Sequence, residues 1–240
     1  MKCISALATF VLLAAAASAT EPVRTSNPPQ FYDPVPRQIE GWTVKVDPAL
    51  LKPENQELAN RCFAALQNHL QRVRYIVPED RVTQLQRLPI WIDLQHELTS
   101  MQYHPGAGWL KNNGYDPRLE KHVHIPRAAA LVDPKMWAKH PYVVLHELAH
   151  AYHDQVLSFE HPEVKATWEA ARDAGILKDV LLYTGRRVEH YGLTNHKEYF
   201  AESTEAYFGV NDFYPFVRAE LKEHDPRMFA MQEKIWGPIR

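Results

Sequence analysis

The sequence predicts an α+β fold with a small mixed sheet, a helix that carries an HExxH motif and a second helix rich in glutamate. Three observations lead to this prediction. Residues 54–73 place apolar side chains at helical spacing. Residues 41–46 alternate like a short strand, residues 88–94 have the β-branched and aromatic content of a strand, and residues 141–157 form an apolar segment typical of a buried helix. The 240 residues are 45% hydrophobic and 23% charged, which suits one globular domain with a full core.

The first 19 residues have the pattern of a secretory signal peptide. Lys2 precedes an apolar run, and Ala17-Ser18-Ala19 predicts cleavage after its last residue. Because the run is too short to cross a membrane, we expect a secreted protein, extracellular or periplasmic, without stable membrane insertion. Cys3 leaves with the signal peptide. Cys62 is then the single remaining cysteine, so the mature chain forms no internal disulfide.

A proline-rich segment follows the signal peptide. Its composition up to about Pro36 disfavours helices and interior strands, and we therefore predict an extended arm over residues 20–40. Residues 41–240 are expected to form the globular domain, which begins with the strand at residues 41–46.

The helix predicted at residues 54–73 turns one apolar stripe toward the core. Cys62 lies in that stripe, and we expect a buried, inert thiol there. His69 is expected on the helix surface. The strand at residues 88–94 comes next.

A long polar and glycine-rich loop is predicted at residues 95–119, as a wall or lid of a substrate cleft, with His104 as its candidate functional residue. Residues 121–126 then read as a short edge strand that ends at Pro126. His122 and His124 point to one face of that strand. We expect two exposed histidines there, with a second metal site as the alternative.

The HExxH motif is HELAH at residues 146–150. On a helix, His146 and His150 lie one turn apart on the same face, so both imidazoles reach a single metal ion, and Glu147 lies beside them. Two neutral nitrogen ligands, an open position for water and a carboxylate that takes the proton of that water form the site of a zinc hydrolase.

A third ligand must come from elsewhere in the chain. Asp154 lies too far along the helix axis from His146 to share the ion, which leaves it a supporting role. The metzincin pattern fails because its glycine and third histidine are replaced. Glu169, on a helix predicted at 162–174, and Glu198, on one predicted at about 196–208, both remain as candidates on residue spacing alone.

The segment around Glu198 carries a resemblance to a known family. Residues 190–202, HYGLTNHKEYFAE, resemble the glutamate helix of the anthrax lethal factor-like family of zinc metallopeptidases, with Tyr199 where that family more often has phenylalanine. The resemblance covers the two active-site helices and the segment before the second. It implies a zincin-like fold of the gluzincin type, with Glu198 as the third ligand in preference to Glu169, and with Tyr191 at the metal, assisting catalysis.

Our hypothesis is a secreted metallopeptidase that holds one zinc ion through His146, His150 and Glu198 and acts on a peptide or protein substrate. Glu147 is its general base, and Tyr191 stabilises the oxyanion. Glu202 is expected to hold the outer nitrogen of a ligand histidine, and Glu205 to be structural. The net charge of −2 and the pI near 6.7 give no basis for nucleic-acid binding. A secreted, non-catalytic metal-binding or protein-interaction module is the alternative, and a hydrolase of non-peptide amides is a third reading.

Overall fold

Helices and a small sheet alternate through residues 31–239, the part of the chain that the computed structural model describes. The strands are β1 (Val35–Ile39), β2 (Trp42–Val46), β3 (Ile90–Ile92), β4 (Gln102–Tyr103), β5 (Val123–Ile125), β6 (Val180–Leu181) and β7 (Arg187–Val188). The α-helices are α1 (Gln56–Ile76), α2 (Glu79–Leu85), α3 (Ala107–Asn112), α4 (Pro134–Lys139), α5 (Val143–Tyr152), α6 (Pro162–Asp173), α7 (His196–Phe208), α8 (Arg218–His224) and α9 (Pro226–Trp236). The predicted α+β class is confirmed, while the predicted signal peptide lies outside the described residues.

The main sheet has the strand order β1-β2-β3-β5-β4. Strands β2, β3 and β5 run parallel, with Val44 beside Ile90 and Ile90 beside Val123, whereas β1 and β4 are antiparallel to their neighbours. Strands β3 and β5 are buried along their whole length, which explains their continuous apolar sequence. The prediction that residues 121–126 form an edge strand is wrong. Strand β4, which comes from the loop, takes the outer position.

The predicted arm at residues 20–40 lies partly outside the described residues, which begin at Phe31. Its end forms β1, whose backbone pairs with β2 from Val35 to Ile39. Just before β1, the guanidinium of Arg118 binds the carboxylate of Asp33 at 2.8 Å and the carbonyl of Tyr32 at 2.6 Å. The described end of the proline-rich segment is therefore joined to the sheet.

The predicted loop at residues 95–119 contains both β4 and α3, and the histidines around it are buried. His104, His122 and His124 are 3%, 7% and 0% exposed, so the expectation of exposed histidines is wrong. His124 lies in the middle of β5, which pairs with a strand on each side and whose three residues are all buried. His69 is also buried, against the ring of Trp137 at 4.3 Å between centroids, and does not lie on the helix surface.

Helix α1 packs its predicted apolar stripe into the core. Cys62, Leu66 and Leu70 are fully buried, and burial raises the pKa of the Cys62 thiol to about 12. Helices α5 and α7 lie against each other in the same core, and most of their side chains are buried. Among the described helices, none combines the length and apolar character needed to cross a membrane.

Candidate metal centre

Helix α5 carries the HExxH motif through the interior, with every residue from Val143 to Tyr152 buried. It continues as a π-helical turn over His153–Leu157. Asp154 in that turn accepts hydrogen bonds of 2.5 Å from both the Tyr103 hydroxyl and the Lys121 ammonium. These contacts tie the end of the motif helix to the outer strand β4.

The start of helix α7 positions Glu198. The side-chain oxygen of Asn195 caps the helix, because it accepts hydrogen bonds from the backbone amides of Lys197 and Glu198 at 2.9 and 3.0 Å. These bonds fix the first turn. Gly192 lies just before this cap, so close to the helix that an added Cβ would stand 2.9 Å from the Cα of Tyr199. Only glycine allows this approach, and it brings the Tyr191 segment against α7.

The structure brings three predicted ligands together. The Nε2 atoms of His146 and His150 are 3.1 Å apart, and Glu198 Oε2 lies 3.5 Å from the first and 3.2 Å from the second. A tetrahedral zinc ion with bonds of about 2.0 to 2.1 Å separates its ligand atoms by about 3.3 Å. The three atoms therefore already have the spacing of a metal-ligand set.

The charges of these groups suit a cation. Burial by itself raises the pKa of Glu198, but hydrogen bonds from His146 and His150 outweigh it and hold the pKa well below its usual range. Burial lowers the pKa of His146, yet its bonds to Glu198 and Glu205 leave that pKa well above the usual value. The pocket thus favours positive charge, which a proton or a metal ion can supply.

Glu205 holds the outer nitrogen of His146. His146 Nδ1 donates to Glu205 Oε1 at 2.7 Å, whereas the nearest oxygen of Glu202 is 3.8 Å away. The bond fixes the imidazole tautomer and leaves Nε2 free for a metal. The prediction that Glu202 takes this position, and that Glu205 is merely structural, is wrong. Glu205 lies seven residues, nearly two helical turns, beyond Glu198, and so returns to the same face.

Behind Glu205 lies a buried polar group that sequence reasoning missed. His140 Nε2 lies 3.0 Å from Glu205 Oε1 and 3.7 Å from Asp212 Oδ1. Burial lowers the pKa of His140, but the charge of Glu205 and its hydrogen bond more than compensate and raise it to about 9. Burial raises the pKa of Glu202 to about 8, so this carboxyl holds a proton at neutral pH. In the sequence, the one indication of this buried group was the position of Glu205, seven residues after Glu198.

A cavity of about 580 Å³ opens over the three ligands. Glu147 and Tyr191 both line it, and Tyr191 is 49% exposed. Burial, and then the charge of Glu198, raise the pKa of the Tyr191 phenol, so it keeps its proton. Outer strand β4 forms part of the wall, which agrees with the cleft wall expected from residues 95–119.

The rival ligand Glu169 is placed elsewhere. It lies on the exposed face of α6, outside the group formed by His146, His150 and Glu198. His104, the candidate residue of the loop, does not line the cleft but contacts His124.

Compared with protein-family models, curated proteins and solved structures, the chain gives no match. The described residues do include buried groups of histidine and carboxylate side chains that could bind a metal ion.

Proposed function

We propose that this protein is a zinc metallopeptidase of the gluzincin type, with a zincin-like fold related to the lethal factor-like family. The observation that carries the proposal is the ligand spacing of 3.1 to 3.5 Å among His146, His150 and Glu198. The buried partner of His146 adds to it, because metal-binding histidines usually donate their second nitrogen to a carboxylate or a carbonyl. The sequence supports export through the predicted signal peptide.

Zinc bound by these residues would act as a Lewis acid, which lowers the pKa of a water molecule and polarises a carbonyl group. Glu147, beside the two histidines, takes the proton of the attacking water and passes it to the leaving amine. Tyr191 keeps its phenolic proton and donates a hydrogen bond to the substrate oxygen as negative charge develops there. Strand β4 is the outermost strand on its side of the sheet within residues 31–239, and its outer edge offers backbone groups to an extended peptide.

The test compares three variants of the protein by zinc content and by cleavage of a mixed peptide library. Glu147→Gln should keep zinc and lose hydrolysis by a factor of about 10² to 10⁴, because only the proton transfer is removed. Glu198→Ala should lose zinc affinity. Glu169→Ala is the matched control, since its side chain is exposed on α6, and should keep both.

Two outcomes would contradict the proposal. If Glu169→Ala strips the metal and Glu198→Ala does not, the ligand assignment is wrong. If the wild-type protein binds one equivalent of zinc at this site and leaves every peptide intact, the non-catalytic binding module is the better description.

A further inference from the structure

A second group of potential ligands lies apart from the candidate metal centre. Asp93, His96 and His124 each offer one ligand atom, and these atoms all lie within 4.8 Å of one another. We propose that this group, called here the β3–β5 site, binds a second divalent metal ion of the zinc class. Imidazole and carboxylate donors in this number are a common zinc-ligand set.

Asp93 is oriented for this role by its surroundings. It directly follows β3 and is 3% exposed. Its Oδ1 accepts hydrogen bonds from the Tyr32 hydroxyl and, at 3.1 Å, from the indole of Trp91. Oδ2 faces His124 Nε2 at 2.8 Å. One oxygen is thus fixed by two donors, while the other is directed at a histidine nitrogen.

His124, in the middle of β5, is fully buried, and both of its ring nitrogens are engaged. Its Nδ1 lies 3.0 Å from Nε2 of His104, which is itself buried. These contacts are satisfied when His104 donates to Nδ1 of His124 and His124 donates from Nε2 to Asp93 Oδ2. A metal ion can replace the Nε2 proton that lies between the histidine nitrogen and the carboxylate oxygen.

His96 comes from the loop after β3, and its ring lies at right angles to that of His124 with centroids 4.9 Å apart. Its Nδ1 accepts a hydrogen bond from the backbone amide of Leu98 at 3.0 Å, so the proton of the neutral ring is on Nε2. A metal bound at Nδ1 would break the hydrogen bond to Leu98, and a metal bound at Nε2 would replace the ring proton. Metal uptake therefore rearranges residues 96–98 or releases a proton.

The site lies at the carboxyl end of β3, beside a neighbouring parallel strand, a usual position for ligand sites in parallel sheets. A cavity of about 250 Å³, lined by Asp93, His96, Tyr32 and Tyr115, opens beside the site. It shares no lining residue with the cavity over the candidate metal centre. Asp93 and His96 begin the segment that leads to β4, and His104 follows that strand. An ion here would tie the segment before β4 to His124, which contacts His104 just after that strand.

The experiment measures bound zinc per chain after zinc loading and removal of excess metal. Wild type should hold two equivalents. His96→Ala should hold one, because it removes a partly exposed loop ligand without opening the core. Glu97, the exposed neighbour of His96, provides the matched control, and Glu97→Ala should hold two equivalents of zinc. His150→Ala, which disables only the candidate metal centre, should also hold one.

The outcomes separate this inference from the proposed function. Equal zinc in wild type and His96→Ala overturns the β3–β5 site, whatever the peptidase activity. One equivalent in His150→Ala that is lost in the His96→Ala/His150→Ala double variant establishes the site even if no peptide is cleaved. If His96→Ala does not fold, Co²⁺ is titrated into His150→Ala instead. A visible absorption band of bound Co²⁺ supports the β3–β5 site, and the lack of such a band overturns it.

Discussion

The buried carboxylate of Glu205 provides the sharpest test of the candidate metal centre. We consider Glu205→Gln, which keeps the size of the side chain and an oxygen acceptor but removes its negative charge. In the structure, this charge lies 2.7 Å from Nδ1 of His146 and strengthens the donor power of the ring toward a metal. The matched variant is Glu202→Gln, on the same helix and equally buried.

The two variants should differ strongly in zinc affinity. Loss of a carboxylate that supports a ligand histidine typically weakens metal binding about 10- to 100-fold, which is about 1.4 to 2.7 kcal/mol. Glu205→Gln should show a loss in this range. Glu202 has a pKa raised to about 8 by burial, so at pH 7 it is already a neutral group that glutamine imitates. Its substitution should change the affinity less than about threefold, well below the effect of losing a supporting carboxylate.

The measurement is a competition titration with a zinc-chelating dye at pH 7, with circular dichroism to show that both variants are folded. Equal losses in the two variants would refute the assignment of Glu205 as the partner of His146. A larger loss in Glu202→Gln would restore the sequence-based prediction.

Two further predictions concern other parts of the molecule. Tyr191→Phe should lower kcat about 10²- to 10³-fold with little change in zinc content, because it removes a donor to the developing negative charge; an unchanged kcat in steady-state assays would remove Tyr191 from the mechanism. The Cys62 thiol, fully buried with a pKa raised to about 12, should not react with a thiol reagent at pH 8 until denaturant unfolds the chain. Rapid labelling of the native protein would contradict its burial.

Much of the local structure could be predicted because it depends on neighbouring residues. Helix α7 was expected at about residues 196–208, and the structure has it at His196–Phe208. The buried face of α1 follows from its apolar periodicity, and strand β2 from its alternation. These features rest on bonds and contacts between residues close together in the chain.

The errors concern residues whose environment is set by distant segments. Strand β5 looked like an edge because it is short, polar in part and ended by proline, yet β4 pairs with it and covers it. Glu202 was preferred to Glu205 because it lies one helical turn beyond Glu198 on the same face, a spacing that Glu205 continues less well. The contact with His146 depends instead on how α7 lies against α5.

By itself, the sequence determined the motif at His146, Glu147 and His150, since helical geometry alone places two imidazoles on one face. It left Glu169 and Glu198 open until a family resemblance favoured the second. Only the tertiary structure placed Glu198 within 3.5 Å of both histidines, left Glu169 exposed, and gathered Asp93, His96 and His124 from separate segments. The reason is physical: local rules fix how a segment folds, but which segments meet is decided by the packing of the whole core.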